Sequence, residues 1–171
     1  ALPHGRAGNK PIEQGDFILM DYGTCYQGYH SDETCTVILG DPSQEQKKIY
    51  QIVKEAHDLA IEKIRPGIPL QEVDRTARDH IRQAGYGDYF GHSTGHGVGL
   101  AVHEAPAVNA ENRDLIREGM VADIVIFNPA GTVSLSEGFH LDIGNQFLFR
   151  MPEHSFTDPL GTGNLSYEQD S

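Results

Sequence analysis

The stretch with the greatest potential for chemistry is a histidine- and glycine-rich segment at residues 91–104. His92, His96 and His103 fall within it, and glycines stand on both sides of His96. Histidine changes its charge near neutral pH and is the commonest metal-binding side chain. Glycine lets the backbone adopt conformations closed to other residues, or lie close against another group. The segment therefore predicts a ligand-binding or catalytic site.

Two carboxylates upstream could meet these histidines. Asp21 lies near the end of an apolar run, Phe17–Tyr22, which is typical of a buried strand. A turn at 26–29 predicts a hairpin whose second strand, residues 29–39, carries Asp32. Antiparallel pairing would bring Asp32 back toward Asp21, and two adjacent carboxylates repel each other unless they share a proton or a cation. This spacing favours a metal site over two solvent-exposed aspartates.

Two amphipathic helices are predicted after the hairpin. Ser43, with Gln46 three residues later, forms a capping-box pattern, and Pro66 ends the first helix. A second helix should begin near Pro69, and Gly85 is placed to end it. Their apolar faces comprise Ile49, Ile52, Val53, Ala56, Leu59, Ala60 and Ile64, then Leu70, Val73, Ala77, Ile81 and Ala84. The three- and four-residue steps within each face predict packing against a sheet.

Four other side chains of chemical interest receive structural interpretations. Cys25 and Cys35 fall in predicted strands, and we expect small buried hydrophobic residues there rather than a disulfide or metal ligands. His57 and His80 fall in the predicted helices, and we expect both at the surface or at its boundary. None of the four is assigned to the site.

Composition excludes several classes of partner. The 171-residue chain carries a net charge of −12 and has no cluster of lysine and arginine, which disfavours nucleic acid binding. No run approaches the roughly 18 apolar residues of a membrane span. Two cysteines and no apolar N-terminal stretch indicate a cytoplasmic protein. The acidic balance is compatible with divalent metal binding, although solubility is the simpler explanation.

Four motifs occur together in one order: Met20–Gly23, Gly28–Thr34, His92–Gly99 and Val102–Pro106. Their sequences and spacing resemble the pita-bread metallopeptidases. Xaa-Pro aminopeptidases and prolidases are most similar, and creatinase and methionine aminopeptidase are more distant. The resemblance covers roughly residues 2–121. It implies an α/β (α+β) fold, in which a curved, mainly antiparallel sheet carries helices on its outer face and the site on its inner face.

The resemblance also implies a two-metal hydrolase that cleaves a peptide bond next to proline. Asp21, Asp32 and His96 would be ligands of two divalent ions, which could be Mn, Co, Fe or Zn. Such a pair of ions activates a water molecule and polarises the peptide carbonyl. His92 and His103 would flank the metals without binding them, positioning the scissile carbonyl and stabilising the intermediate. Similar proteins are often homodimers, so a homodimer is expected.

The remaining ligands of the family, two glutamates, have no clear match in this sequence. A gapless comparison places Val125 at the first glutamate, and three extra residues would place Asn128 there. Asp142, one methylene shorter than glutamate, is the candidate for the second. A lost carboxylate favours an impaired enzyme. The alternatives are an inactive pita-bread module that binds a peptide or protein, and an iron(II) oxygenase triad built on His30 and Asp32.

One domain accounts for almost the whole chain. We expect it over residues 1–157, lacking the N-terminal part found in many relatives, with a last strand at 145–150. Residues 158–171 are rich in glycine, serine and acidic side chains, which predicts a disordered tail. The divergent C-terminal part is compatible with a fused or frameshifted end.

Overall fold

The computed structural model describes residues 8–126 and 156–157. Its elements are the strands β1 (Phe17–Tyr22), β2 (Cys25–Tyr26), β3 (Tyr29–His30) and β4 (Glu33–Leu39), the helices α1 (Gln44–Lys63) and α2 (Leu70–Gln83), a 3-10 turn (Gly87–Tyr89), and the strands β5 (Gly95–Gly97), β6 (Glu104–Val108), β7 (Ala122–Ile124) and β8 (Phe156–Thr157). Asn128, Asp142, the predicted strand at 145–150 and the predicted tail lie outside the described residues. No helix between residues 8 and 126 has the length and apolar character needed to span a bilayer.

The strands form three small antiparallel sheets. One has the order β1-β4-β8, a second is the hairpin β2-β3, and the third has the order β6-β5-β7. The register of the first sheet places Asp21 of β1 opposite Thr34 of β4. The predicted antiparallel return of the chain after β1 is therefore confirmed.

The prediction of one continuous strand at residues 29–39 is wrong, because the segment is divided between β3 and β4. Gln27 and Gly28 form a tight turn with φ values of 51° and 86°, which closes the β2-β3 hairpin. The Ser31 amide then donates to the Thr24 carbonyl at 2.9 Å, which keeps the chain beside the hairpin before β4 begins. As a result Asp32 projects from the two-residue connection between β3 and β4 rather than from a strand.

Both helices begin and end where their sequence signals predict. The Ser43 amide donates to Gln46 Oε1 at 2.8 Å, and the Gln46 amide donates to Ser43 Oγ at 3.2 Å, so the capping box is complete. Gly85 follows α2 with φ of 89°, a conformation that favours glycine at a helix end. Leu59 is the exception on the predicted apolar face of α1, because its side chain remains 37% exposed.

The core lies between the helices and the β6-β5-β7 sheet, as the apolar faces predict. The two helices pack on each other, α2 contacts β6, and α1 contacts β7. The buried members of this core are Ile52, Val53, Ala56, Ala60, Leu70, Val73, Ala77, Ile81, Phe90, Val108, Ile116, Ile124 and Ile126. Each large aliphatic side chain in such a position stabilises the fold by about 1.5–3 kcal/mol.

Two expectations about isolated side chains are wrong. His57 was expected at the surface or boundary but is only 1% exposed, because it faces the core from α1. His80 does lie at the boundary, half-buried, with its Nε2 3.1 Å from Glu55 Oε2. Cys25 was expected to be buried, yet it is exposed because the two-residue strand β2 has both residues in solvent. Cys35 is half-buried in β4 and, like Cys25, is a free thiol.

Candidate metal centre

A single cavity of about 690 Å³ brings the predicted site residues together. The side chains that line it include Asp21, Asp32, His92, His96 and His103. These residues come from β1, the connection before β4, the segment before β5, β5 itself and the loop before β6. Convergence of five residues separated by as many as 82 positions is the main feature that the motif spacing predicted.

Three of these side chains form a tighter group, which we call the donor cluster: Asp32, His96 and His103. One nitrogen or oxygen atom from each lies within 4.8 Å of the others. His96 Nε2 is 3.5 Å from Asp32 Oδ2, and the rings of His96 and His103 have their centroids 4.1 Å apart. One carboxylate and two imidazoles suit first-row transition metals such as Zn and Co.

The backbone around His96 requires glycine on both sides. His96 is the middle residue of β5, which is the central strand of its sheet. A Cβ atom at Gly95 would lie 2.1 Å from the Asp123 carbonyl oxygen, and one at Gly97 would lie 2.3 Å from the Ala105 carbonyl oxygen. Only glycine therefore allows β6 and β7 to approach this strand so closely, and their approach fixes the position of the imidazole.

The Gly97 carbonyl favours one tautomer of the His96 ring. His96 Nδ1 lies 3.1 Å from the Gly97 carbonyl oxygen. Because a carbonyl oxygen only accepts hydrogen bonds, Nδ1 carries the proton in this contact. In the neutral ring Nε2 then presents its lone pair toward the Asp32 carboxylate, which is also an acceptor. A cation between these two acceptors would relieve their repulsion.

The two aspartates of the cavity are in different environments. Burial raises the pKa of Asp32 above its usual range and the nearby charge of Asp21 raises it further, while His96 and His103 oppose both effects. Asp21 is exposed, and its Oδ1 accepts a hydrogen bond from Thr34 Oγ1 at 3.3 Å. A divalent cation would offset the mutual repulsion of the two carboxylates.

The loop that carries His103 is attached at both of its ends. The Ala101 amide donates to Glu104 Oε2 at 3.0 Å, and the His30 amide donates to the Gly99 carbonyl at 2.7 Å. His30 itself lines the cavity but, among the described residues, is not part of the donor cluster. Within residues 8–126, the imidazoles grouped with Asp32 are those of His96 and His103, and His30 is not among them.

A buried ion pair positions the segment that carries His92, and the sequence interpretation missed it. Arg78 donates to both carboxylate oxygens of Asp74, at 2.9 and 2.7 Å, and to the carbonyls of Phe90 at 2.7 Å and His92 at 2.9 Å. Thr94 Oγ1 donates to Asp74 Oδ1 at 2.7 Å. We call Asp74, Arg78 and Thr94 the Arg78 group. The available signal was the opposite charges of Asp74 and Arg78, four residues apart on one helix.

Residues 1–147 match metallopeptidase family M24. The chain belongs to this family. A Xaa-Pro dipeptidase from Pyrococcus horikoshii is 52% identical to the M24 chain over 124 residues, which are 72% of this chain and 35% of the relative. The M24 chain thus spans about a third of the length of the curated relatives it matches. The resemblance inferred from the four motifs is confirmed.

Solved structures confirm the predicted pita-bread α/β fold of the M24 chain. The prolidase from Pyrococcus horikoshii OT3 has a TM-score of 0.76 and 46% sequence identity, with 82% of this chain and 40% of that chain covered. The X-Pro aminopeptidase from Thermotoga maritima MSB8 has a TM-score of 0.74 and 39% identity, covering 82% of this chain and 38% of the other.

One wall of the cavity in the M24 chain is apolar where the resemblance implied a glutamate. Val125, the position found by the gapless comparison, lines the cavity and is 7% exposed. Its amide donates to the Thr94 carbonyl at 2.7 Å, so it continues alongside β5 just after β7. The donor cluster fits one divalent cation. Within residues 8–126, Asp21 is the carboxylate that lines the cavity besides Asp32.

Proposed function

We propose that this M24 chain contributes the metal-binding cavity of a divalent-metal-dependent peptidase that cleaves a peptide bond next to proline. The observation that carries the proposal is the convergence of Asp21, Asp32 and His96 in one cavity. Carboxylate and imidazole donors are the groups that Mn, Co, Fe and Zn bind in proteins. The proposed cofactor is two divalent ions, as the resemblance implies, with Asp142 as a further ligand.

The chemistry requires the residues to divide their tasks. A divalent cation held by Asp21, Asp32 and His96 would activate a water molecule near neutral pH and polarise the peptide carbonyl. Asp21 and Asp32 would provide the negative charge that retains the cation. Because His96 Nδ1 contacts the Gly97 carbonyl, His96 Nε2 is left available as a ligand atom for the cation. We assign to His92, on the wall of the same cavity, the donation of a hydrogen bond to the substrate carbonyl as charge develops on it. The resemblance assigns His103 the same task.

The proposed substrate is a short peptide that contains proline. The relative from Pyrococcus horikoshii carries the name Xaa-Pro dipeptidase, which gives the substrate class. The cavity volume of about 690 Å³ falls within the range of roughly 300–1,000 Å³ typical of small-ligand sites, so a dipeptide or tripeptide is of suitable size. Cytoplasmic location and a homodimer stay predictions from the sequence.

Calorimetric titration of the purified chain with Mn²⁺ and Co²⁺, followed by hydrolysis assays on Xaa-Pro dipeptides, tests the proposal. Asp21→Ala and His96→Ala should weaken metal binding and abolish hydrolysis. His80→Ala is the matched control, because His80 is a half-buried histidine on α2 that pairs with Glu55 outside the cavity. Absence of metal binding to the unaltered chain, or equal binding by all variants, would rule the proposal out.

An inactive module that binds a peptide or protein in the same cavity is the second candidate. The observation that favours it is Val125, whose apolar side chain occupies part of the cavity wall. The two candidates differ in one readout, because the module would bind a proline-containing peptide without hydrolysing it. Peptide binding measured in the presence of Co²⁺, together with unchanged peptide after prolonged incubation, would identify the module.

A further inference from the structure

We infer that Arg78 is a positioning residue for His92, and that its guanidinium orients the His92 imidazole from outside the cavity. Within residues 8–126, the side chains that line the cavity include His92 but neither Arg78 nor Phe90, whose ring contacts both of them. The inference rests on the proposed function, because His92 takes its task in hydrolysis from it. It adds a residue of α2 on which that task depends.

The guanidinium holds the backbone on both sides of Gly91. Arg78 Nη1 donates a hydrogen bond to the Phe90 carbonyl oxygen at 2.7 Å, and Nη2 donates one to the His92 carbonyl oxygen at 2.9 Å. Gly91 lies between these two carbonyls, and a glycine has more backbone freedom than any other residue. Because the guanidinium is planar and rigid, its two hydrogen bonds fix the directions of both carbonyls. The backbone from which the His92 side chain projects is therefore held in one conformation.

The same guanidinium acts on the His92 ring through Phe90. Arg78 Cζ lies 4.4 Å from the centroid of the Phe90 ring, within the range of a cation-π interaction. The Phe90 and His92 rings have their centroids 4.7 Å apart and their planes at 89°, the edge-to-face arrangement that aromatic pairs favour. Phe90 is only 3% exposed and belongs to the core between the helices and the sheet. The His92 imidazole therefore packs against a ring that the core and Arg78 hold in place.

Asp74 and Thr94 hold the guanidinium itself. Asp74 accepts hydrogen bonds from Arg78 Nε at 2.9 Å and from Nη2 at 2.7 Å, and this two-point contact fixes the plane of the guanidinium. Thr94 Oγ1 donates to the same carboxylate at 2.7 Å, and the Thr94 amide donates to the Val108 carbonyl of β6 at 2.9 Å. The orientation of His92 thus depends on contacts that join α2 to the sheet.

A purely structural ion pair and a positioning device predict different results. Neutralising the buried Asp74 carboxylate requires only the contacts between Asp74 and Arg78. The hydrogen bond of Nη1 goes instead to the Phe90 carbonyl, and Nη2 is shared between Asp74 and the His92 carbonyl. A structural role lowers the fraction of chain that is folded. A positioning role lowers kcat of the folded chain and leaves KM and the cation affinity nearly unchanged.

Hydrolysis of a Xaa-Pro dipeptide in the presence of Co²⁺, with the Co²⁺ affinity measured by calorimetry, tests the inference on the full chain. Arg78→Lys keeps the positive charge beside Asp74 but loses the planar group, and Phe90→Leu keeps an apolar side chain but removes the ring. Both should lower kcat about 10–100-fold, since a misplacement of about 1 Å near the reacting centre can cost 100-fold. KM and the Co²⁺ affinity should stay within about threefold of the values for the unaltered chain.

Control variants and a double substitution separate positioning from stability. Arg82→Lys, at an exposed ion pair of α2, and Phe17→Leu, in a separate core cluster, should retain kcat. In a His92→Gln background, Arg78→Lys should cause no further loss of kcat, because residues that act as a unit have non-additive effects. An equal loss in both backgrounds would overturn the inference, since the effect of Arg78 would then not pass through His92.

The nuclear magnetic resonance signals of the His92 imidazole in the metal-free chain give a readout that needs no activity. Their loss in His92→Gln assigns them, and all spectra are recorded at one pH. Arg78→Lys should shift these signals, because the imidazole then moves relative to the Phe90 ring, whereas Arg82→Lys should leave them in place. Unshifted His92 signals in folded Arg78→Lys would overturn the inference, whatever the kinetics.

The outcomes distinguish this inference from the proposed function. If the unaltered chain hydrolyses no Xaa-Pro dipeptide, the proposed function fails, and the His92 signals still decide whether Arg78 orients the ring. Shifted signals with an unchanged kcat in Arg78→Lys would overturn the positioning role and leave the peptidase standing. Far-ultraviolet circular dichroism of each variant checks that it is folded. If Arg78→Lys does not fold, an unchanged kcat in Phe90→Leu would overturn the inference, and the expected loss would support it.

Discussion

The Arg78 group and the donor cluster are two polar sites only two residues apart at β5, and they are completed in opposite ways. Thr94 belongs to the first and His96 to the second. In the Arg78 group the buried Asp74 carboxylate receives hydrogen bonds from a guanidinium and a hydroxyl. In the donor cluster the Asp32 carboxylate lies 3.5 Å from His96 Nε2 on the wall of an open cavity.

The difference separates a structural carboxylate from a ligand-binding one. Asp74 has its counter-charge within the fold, and the same contact raises the pKa of Arg78 above its usual range. Asp32 has no lysine or arginine partner among the described contacts, and burial raises its pKa against the opposing effect of His96 and His103, so the charged form is the disfavoured one. A carboxylate with its own partner stabilises the protein, and one without a fixed cation is available to an external cation.

Removing the counter-charge of Asp74 should have the largest effect. Arg78→Met should lower the free energy of unfolding by about 3–5 kcal/mol, because it leaves a buried carboxylate uncompensated. Urea unfolding measures the change. Arg82→Met is the matched control, since Arg82 pairs with Asp79 on the exposed surface of the same helix and such pairs contribute at most about 1 kcal/mol. Similar losses in both variants would remove the distinction between the Arg78 group and an ordinary surface ion pair.

The same substitution at the two aspartates should act in opposite directions. Asp74→Asn should destabilise the chain by about 1.5–3 kcal/mol, the range for hydrogen bonds to charged groups. Asp32→Asn should stabilise the metal-free chain by about 0.5–2 kcal/mol, because it removes a carboxylate that burial and Asp21 disfavour. Thermal unfolding in the presence of a chelator measures both. Loss of stability in Asp32→Asn would mean that the donor cluster is satisfied without a cation.

The close packing beside His96 gives a third test. Gly97→Ala should lower the free energy of unfolding by about 1–3 kcal/mol, because the added Cβ would overlap the Ala105 carbonyl and push β5 from β6. Gly91→Ala, where a Cβ meets nothing within 4 Å, is the control. Gly97→Ala should also weaken Co²⁺ binding through displacement of His96. Retained stability with unaltered Co²⁺ binding would show that the strand can adjust without moving the site.

Local signals in the sequence predicted β1 and both helices of this structure. The capping box of α1 and the glycine after α2 depend on neighbouring residues, so each could be inferred from a few positions. The apolar periodicity of the helices likewise reflects one face, although Leu59 shows that the edge of that face is not defined by spacing alone. The prediction of one strand at residues 29–39 was wrong, because a hydrogen bond between Ser31 and Thr24 interrupts it. The alternation of residue types does not reveal such a contact.

The candidate site was predicted as a set of residues but not as a geometry. Motif order placed Asp21, Asp32 and His96 in one site, and all three line the cavity. The resemblance placed His103 beside the metals, but the distances within the donor cluster could not be inferred, because they depend on how the loop after β5 folds back against the hairpin. The Arg78 group was missed for the same reason, since its contacts with the Phe90 and His92 carbonyls join α2 to a segment more than ten residues away.

The smallest effect on stability is expected from His57, which belongs to neither the Arg78 group nor the donor cluster. Burial lowers the pKa of His57 below its usual range and outweighs the nearby Asp58 carboxylate, which raises it. Below about pH 6.5 the imidazole is therefore protonated in the unfolded chain but still neutral in the folded chain. The free energy of unfolding should then decrease as the pH falls, by at most about 1.4 kcal/mol per pH unit. Chemical unfolding between pH 5 and pH 8 measures the slope.

His57→Gln should flatten this dependence, while His80→Gln, at the half-buried contact with Glu55, is the matched control. The four histidines that line the cavity are unchanged in both variants, so the difference between the curves isolates the effect of the buried His57 imidazole. Parallel curves for the unaltered chain and His57→Gln would assign the pH dependence elsewhere, with the donor cluster as the next candidate. A flatter curve would instead show that burial disfavours the charged form of the His57 imidazole in the core. In the cavity, by contrast, His96 lies 3.5 Å from the Asp32 carboxylate, and a cation could bind between the two side chains.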